Sequence, residues 1–142
     1  MTLEILRSDQ ISNGIQTEVS ALYDQLDSNI KQLQLRELLA TDDNLVFVIC
    51  KVDDKVAGIA SMAIYKVISG HKGMVEDVVV DQEYRGRGIG RKLMEKLLDE
   101  AQNRNLDEVL LFSAHYRTPA ITLYKSLGFR LKDSGLYRLV FN

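Results

Sequence analysis

The sequence predicts a mixed α/β domain built around a mostly antiparallel sheet. Two apolar, β-branched runs at residues 44–52 and 55–68 flank a polar pair of aspartates and therefore predict a β-hairpin. A glycine-rich turn at residues 85–90 separates a further apolar run from a helical pattern. Beyond this turn, helix and strand patterns alternate to the end of the chain, which indicates helices packed against the sheet.

Composition limits the class of protein. The 142 residues are 46% hydrophobic and 27% charged, so we expect one domain, residues 1–142, with a single core. The net charge of −2 argues against a nucleic-acid partner, and no apolar run approaches the ~18–20 residues that span a membrane. The first ten residues lack a signal-peptide pattern, and the single cysteine excludes an intrachain disulfide. We therefore expect a cytoplasmic protein.

The N-terminal third predicts a strand followed by helices. Residues 3–7 alternate weakly and predict the strand, after which Ser8 or Asp9 is positioned to cap a helix. The leucines and isoleucine of residues 30–39 predict a second helical segment. The first helix is predicted from apolar residues at steps of three and four: Ile11, Ile15, Val19, Leu22 and Leu26.

The remaining elements follow from local patterns. Residues 69–73 predict a loop, and strands are predicted at residues 74–81, 107–115 and 135–141. The helix after the glycines has one apolar face formed by Ile89, Leu93, Met94, Leu97, Leu98 and Ala101. A short helix near the C-terminus is predicted from Thr118 as its cap, Pro119 in its first position and Gly128 just past its end.

The turn, EYRGRGIGRK at residues 83–92, predicts an anion site. Backbone amides at a helix start point toward a bound anion, and the helix dipole favours negative charge there. Glycines permit positive φ and let phosphate oxygens approach closely. Arg85, Arg87 and Arg91 add charged donors. A pyrophosphate group suits this combination.

Two familiar nucleotide-binding motifs do not fit the turn. A P-loop requires Lys followed by Ser or Thr after its last glycine, whereas Arg91, Lys92 and Leu93 follow Gly90. The dinucleotide fingerprint G-x-G-x-x-G also fails, because its third glycine position holds Arg91 or Leu93, depending on the frame.

A third motif fits. Arg85-x-x-Gly88-x-Gly90 resembles the acyl-CoA signature of GNAT-type N-acetyltransferases, and RTPAITLYKSLGF at residues 117–129 is similar to the family's second motif. The resemblance implies the GNAT acyl-CoA N-acyltransferase fold, in which helices flank a mixed, mostly antiparallel sheet with splayed central strands. It also implies direct attack of a primary amine on acetyl-CoA. No metal site is expected, because neither His71 nor His115 pairs with the single cysteine at a ligand spacing.

The resemblance extends to the donor contacts. The backbone of Val78, Val79 and Val80 would pair with the pantetheine arm like an extra strand. The Val78 amide would also stabilise the oxyanion that develops on the thioester carbonyl. The pyrophosphate would be bound by the turn: Arg85, Gly86, Arg87, Gly88, Ile89, Gly90 and Arg91.

Two residues are candidates for proton transfer. Tyr124 occupies the tyrosine of the second motif, so the resemblance implies that it protonates the departing thiolate, the alternative being an amphipathic core residue. Glu76 is the candidate base, because a carboxylate in an apolar strand is costly unless it is paired, hydrated or functional. Strand alternation places Glu76 with Val78 on one face and Asp77 on the other, where we expect a structural role. A structural salt bridge is the alternative role for Glu76.

The remaining candidates concern the acceptor. His115 ends the predicted fifth strand, with Ser113 on the same strand face, and Arg117 stands where the family often has asparagine. All three are candidate contacts to substrate or cofactor, as is His71 in its predicted loop. For the two histidines, the alternative is an exposed side chain with no role in binding. We expect Cys50 to be a small buried hydrophobe rather than a nucleophile.

The motifs do not specify the acceptor. Residues 73–97 are also similar to glucosamine-6-phosphate N-acetyltransferases, but the same pattern recurs in members that act on other amines. The acceptor is a small-molecule amine or a peptide amine. A protein that senses acyl-CoA without turnover is the alternative function. Homodimers are common among similar proteins, and the apolar final strand suits pairing across an interface.

Overall fold

The structure, a computed structural model, describes residues 1–40 and 44–141. The chain divides into two compact units, Met1–Leu110 and Leu111–Asn142. Among the described residues, no helix has the length and apolar character needed to cross a membrane.

Within the described residues, five strands form one sheet, and they lie side by side in chain order. The first four pair in antiparallel fashion, so the prediction of a mostly antiparallel sheet is confirmed. Asp53 and Asp54 make the tight turn of the predicted hairpin with positive φ values of 50° and 67°. The strands are β1 (Thr2–Ile5), β2 (Leu45–Val52), β3 (Lys55–Val67), β4 (Gly70–Val80) and β5 (Glu108–Leu111).

The structure combines the sheet with helices, which makes the fold the predicted α/β type. Three of them, α1 (Asn13–Asp24), α2 (Leu35–Leu38) and α3 (Ile89–Asn103), belong to the first unit. The fourth, α4 (Thr118–Ser126), belongs to the second unit.

The core of the first unit lies on both faces of the sheet. On one face, buried residues of α1 and α2 cluster with Phe47, Ile59 and Val79. Gly58 points to the opposite face, where an added Cβ would lie 2.8 Å from Ile89 and 3.0 Å from Leu93. The lack of a side chain at Gly58 therefore lets α3 pack close to β3, and the predicted apolar face of α3 is buried there.

The first helix begins later than predicted. Residues Ser8–Gln10 form a separate 3₁₀ turn, closed by the Arg7 amide donating to Gln10 Oε1 at 2.8 Å. The cap of α1 is Ser12, whose Oγ accepts a hydrogen bond from the Ile15 amide at 3.1 Å. The assignment of the cap to Ser8 or Asp9 was wrong because both residues belong to this 3₁₀ turn.

The predicted second helix is reduced to the single turn of α2. Asp27 Oδ1 accepts from the Asn29 amide at 2.9 Å, and Gln32 Nε2 donates to the Ser20 carbonyl at 3.0 Å. These bonds hold residues 27–34 as an irregular segment against α1. Ile30 is therefore exposed instead of lying on a buried helix face.

The predicted loop at residues 69–73 was also wrong. β4 starts at Gly70, and His71 pairs with Lys66 of β3, so the hairpin turn is confined to two residues, Ile68 and Ser69. His71 is therefore a strand residue and not a loop residue, and its amide donates to Asp107 Oδ2 at 2.7 Å.

The second unit departs most from prediction. The helix α4 has Arg117 rather than Thr118 at its cap position, and Pro119 is its second residue. Gly128 follows the helix with φ of 100°, as predicted. Residues 135–141 are exposed and form no strand, because apolar alternation becomes a strand only where a neighbour supplies hydrogen bonds.

Candidate active site

The turn between β4 and α3 has the backbone of an anion site. Gly86 and Gly88 have φ values of 82° and 77°, in the left-handed region that other residues rarely adopt. A Cβ at either position would meet no atom within 4 Å, so backbone conformation rather than crowding selects glycine. Gly88 is the N-cap of α3 and supplies no side-chain cap to the helix amides. A helix start of this kind is suited to bind an anion.

Two arginines of the turn have defined positions. Arg85 Nε donates to the Val80 carbonyl at 3.4 Å, which brings its guanidinium back to the end of β4. The Arg87 guanidinium lies 5.1 Å from the centre of the Tyr84 ring, a cation–π geometry. Both arginines are exposed. The turn thus combines uncapped amides with positive charge.

A β-bulge interrupts β4 just before the turn. Val79 pairs with Ile59 and Glu76 pairs with Ser61, so Asp77 and Val78 together stand opposite a single residue of β3. Asp77 adopts φ of 55°, the left-handed conformation that accommodates an extra residue in a strand.

The bulge corrects the predicted orientation of the acidic pair. Cross-strand partners share a face, so Glu76 lies on the same face as Val79, the face covered by α1 and α2. The expected partnership of Glu76 with Val78 on one face was wrong, because simple alternation fails at the extra residue. Ser61 Oγ donates to the Glu76 carbonyl at 3.0 Å and holds the strand on this side of the bulge.

Both carboxylates are harder to ionise than usual. Partial burial raises the pKa of Glu76, and the neighbouring charge of Asp77 raises it further. Burial alone raises the pKa of Asp77. The side chains nevertheless reach solvent, so protons can enter and leave. A base that is partly desolvated and exposed to exchange is suited to proton transfer.

A cavity of about 230 Å³ opens on the same face of the sheet. Its lining comes from α1, from the segment at residues 30–38, and from β2, β3 and β4. Most of the lining is apolar, and its most buried members are Val19, Leu35, Phe47 and Ile59. Asp77 and Tyr23 also line it, so the bulge places a carboxylate in the cavity wall.

The second half of β4 extends beyond β5. The Asp107 amide donates to the His71 carbonyl at 2.7 Å, and Lys72 Nζ lies 3.0 Å from Glu108 Oε1. β5 therefore starts beside the start of β4, and it has four residues against eleven. Among the strands described, none flanks residues 76–80 of β4 on the edge away from β3. An edge of this kind presents backbone groups for pairing.

In the second unit, Tyr124 lies on α4 and is the second residue of the LYKSLGF motif. Its ring packs edge-to-face on Phe129, with centroids 6.1 Å apart and an interplanar angle of 69°. Burial raises the pKa of Tyr124, and the charge of Arg117, two helical turns earlier, lowers it in part. The hydroxyl therefore stays protonated at neutral pH, as a proton donor requires.

The predicted substrate contacts of the second unit lie outside regular strand structure. β5 ends at Leu111, so His115 does not end the strand and Ser113 does not share a strand face with it. The Arg117 amide donates to the Ala114 carbonyl at 3.0 Å, which turns the chain into α4. This turn ends the strand pattern early.

Two polar residues of the cavity lining were not predicted from the sequence to meet there. Tyr23 carried no motif, and Asp77 was assigned a structural role. No spacing in the sequence could reveal either residue, because their meeting in one cavity depends on the bulge and on the packing of α1. The tolerance of aspartate for positive φ was the one local signal at residue 77.

Residues 9–129 match the model of the Acetyltransferase (GNAT) family. A streptothricin acetyltransferase of Streptomyces lavendulae is 34% identical over 98 residues, which are 68% of this chain and 51% of that protein. The chain spans about half or less of the length of the curated relatives it matches first.

Solved structures share the fold. A putative acetyltransferase from Agrobacterium tumefaciens str. C58 has a TM-score of 0.81 and 20% identity, with 99% of this chain and 100% of that chain covered. The aminoglycoside N-acetyltransferase AAC(6')-Iy, solved in complex with CoA, has a TM-score of 0.76 and 16% identity, with 99% and 100% covered. With the family match spanning most of its length, the chain belongs to the GNAT acetyltransferase family.

Proposed function

We propose that this protein is an acetyl-CoA-dependent N-acetyltransferase that transfers the acetyl group to a primary amine by direct attack. The observation that carries the proposal is the turn between β4 and α3, where two left-handed glycines leave an uncapped helix start beside two arginines. The family match crosses both compact units, which supports the proposal that residues 1–142 act as one catalytic domain.

The donor is proposed to lie along β4 and the turn. The amides of residues 86–91 bind the pyrophosphate, with Arg85, Arg87 and Arg91 as cationic contacts. The pantetheine arm pairs with the backbone of residues 78–80 at the edge that β5 leaves open. The bound CoA of a structure with the same fold supports this choice of donor.

The chemistry is assigned to three groups of this chain. Glu76 accepts a proton from the acceptor ammonium, directly or through water, so that the neutral amine can attack. The amine nitrogen forms a bond to the thioester carbon, and the Val78 amide stabilises the oxyanion. The carbon–sulfur bond then breaks, and Tyr124 gives its proton to the departing thiolate. The attacking nitrogen, which is cationic once its bond to carbon has formed, releases its extra proton to solvent and leaves a neutral amide. Glu76 loses its proton to solvent, and the Tyr124 hydroxyl regains one from solvent.

Ser113, His115 and Arg117 are proposed as further contacts to substrate or cofactor. A cytoplasmic location and a homodimer are also proposed. The exposed apolar side chains of residues 136–141 offer a surface for a second copy. Light scattering measures the oligomeric state.

The proposed activity is tested by measuring thiol release from acetyl-CoA over a panel of amino sugars, polyamines, amino acids, arylalkyl amines and peptides. We expect at least one amine to give both CoA thiol and an acetylated product in mass spectrometry. Binding of acetyl-CoA with no amine turned over would contradict catalysis and leave an acyl-CoA-binding module.

A further inference from the structure

We propose that the acceptor is a primary amine on a compact apolar body, held in the cavity between α1, residues 30–38 and the sheet, with its nitrogen at Asp77 and Tyr23. This inference rests on the proposed function and names the substrate class of that activity. Sugar phosphates and extended polycations are the classes it disfavours.

The size and lining of the cavity set the body of the acceptor. A cavity of about 230 Å³ is somewhat larger than the roughly 150 Å³ that holds a benzene molecule. Val19, Phe47 and Ile59 are each at most 5% exposed and form an apolar floor. A ring or branched alkyl group gains free energy by leaving water here, whereas sugar hydroxyls would lose their hydrogen bonds to water.

The polar groups of the cavity set the position of the nitrogen. Asp77 reaches the cavity because the bulge turns its backbone to φ of 55°. Tyr23 lies in the last turn of α1 and lines the same cavity. Burial raises the pKa of Tyr23, and the charges of Asp77, Asp27 and Glu76 raise it further. The phenol therefore stays protonated among negative charges that attract an ammonium group.

The position of Asp77 connects this cavity to the proposed chemistry. Its neighbour Glu76 is the proposed base, and Val78, the other residue of the bulge, carries the proposed oxyanion amide. An amine held at Asp77 therefore lies beside a residue whose two chain neighbours carry the proposed base and the proposed oxyanion donor. In this proposal Asp77 binds the amine, Glu76 deprotonates it, and the Val78 amide stabilises the transition state.

The charges of the cavity disfavour anionic acceptors. Lys31 is the one cation among the described lining residues, and it is exposed. A phosphate group in the cavity would meet Asp77 without a buried cation to offset the repulsion. A glucosamine 6-phosphate acceptor therefore fits poorly.

The outer wall of the cavity is held in place by side chains. Gln16 Oε1 accepts from the Leu35 amide at 2.7 Å, and Gln32 Nε2 donates to the Ser20 carbonyl at 3.0 Å and to Asp24 Oδ1 at 3.1 Å. Residues 30–35 are therefore fastened to α1 at two points. A preformed wall lowers the ordering cost of binding and sharpens selection by shape.

The test compares kcat/KM of the protein, residues 1–142, for 2-phenylethylamine, glucosamine 6-phosphate and spermidine, by thiol release with product identification. We expect 2-phenylethylamine to exceed each of the others by more than tenfold. Asp77→Asn removes the charge and keeps a residue that tolerates positive φ. It is expected to raise the KM for the amine at least tenfold while the affinity for CoA stays unchanged.

Asp54→Asn is the matched control, since it makes the same change at positive φ in the turn between β2 and β3. We expect it to leave the KM for the amine unchanged. Preference for glucosamine 6-phosphate or spermidine, or an unchanged KM in Asp77→Asn, would overturn the acceptor assignment and leave the acetyltransferase activity standing. Absence of turnover with every amine of the broader panel would instead contradict the proposed function.

Discussion

The glycine turn and the cavity, at either side of the bulge in β4, are built in opposite ways. The turn is a contiguous run of six residues that is open to solvent, and its proposed binding groups are backbone amides and arginines. The cavity is assembled from side chains of α1, of residues 30–38 and of three strands, and it is apolar with an acidic end. A donor shared by a whole family can be bound by backbone, whereas an acceptor particular to one member requires side chains.

The comparison predicts that the two regions can be impaired separately. The proposed proton donor, Tyr124, belongs to neither set of residues. The largest effect is expected for Tyr124→Phe, which removes the hydroxyl and keeps the edge-to-face packing on Phe129. We expect kcat to fall about 100-fold, in the range for loss of one general acid. Affinity for CoA by titration calorimetry and the KM for the amine should stay unchanged. An unaltered kcat would remove Tyr124 from the chemistry.

Glu76→Gln is expected to lower kcat/KM by about tenfold to 100-fold at neutral pH, because a base is lost while shape is kept. In the unaltered protein, kcat/KM should fall as pH drops through the raised pKa of Glu76, since the base then holds a proton. This acidic limb should be missing from the pH–rate profile of the variant. Identical profiles for both proteins would exclude Glu76 as the base.

Gly88→Ala is expected to weaken CoA binding by about tenfold, or ~1.4 kcal/mol, measured by calorimetry. The added methyl group strains a backbone at φ of 77° and occupies the space that a pyrophosphate oxygen would take. Gly128→Ala is the matched control, because it also places a Cβ at positive φ with open space around it. Equal loss of CoA affinity in both variants would mean that strain alone, and not the turn, explains the effect.

Asp77→Asn gives the smallest expected effect, a rise in Tm of less than about 2 °C at neutral pH, because solvent screens the charge. The raised pKa of Asp77 means that the folded protein holds its proton more tightly than the unfolded chain. The stabilisation from that proton is present below the ordinary carboxylate pKa and is lost as pH rises through the raised value. The higher Tm of the Asp77→Asn variant should therefore disappear at acidic pH, where Asp77 of the unaltered protein is protonated. A lower Tm for the variant at neutral pH would contradict this assignment.

The sequence predicted best what depends on neighbours in the chain. The hairpin at Asp53-Asp54, the apolar face of α3 and the left-handed Gly128 follow from local propensity, and the structure confirms them. The turn between β4 and α3 was predicted for the same reason, because its glycines and arginines occur in one run of the sequence.

What failed depends on tertiary contacts. The helix predicted at residues 30–39 is lost because Gln32 and Gln16 bind the segment to α1. The bulge at Asp77 is set by the register between β3 and β4, which no single-strand pattern contains. The cavity follows from both features, so the acceptor could not be predicted from the sequence.

The central claim, that the turn binds the pyrophosphate of an acyl-CoA donor, is tested most directly by titration calorimetry of the unaltered protein with CoA and with pantetheine. Pantetheine keeps the arm that would pair with β4 but lacks the pyrophosphate. We predict saturable binding of CoA at a single site and at least tenfold weaker binding of pantetheine. Absence of CoA binding, or equal affinity for both compounds, would contradict the assignment of the turn.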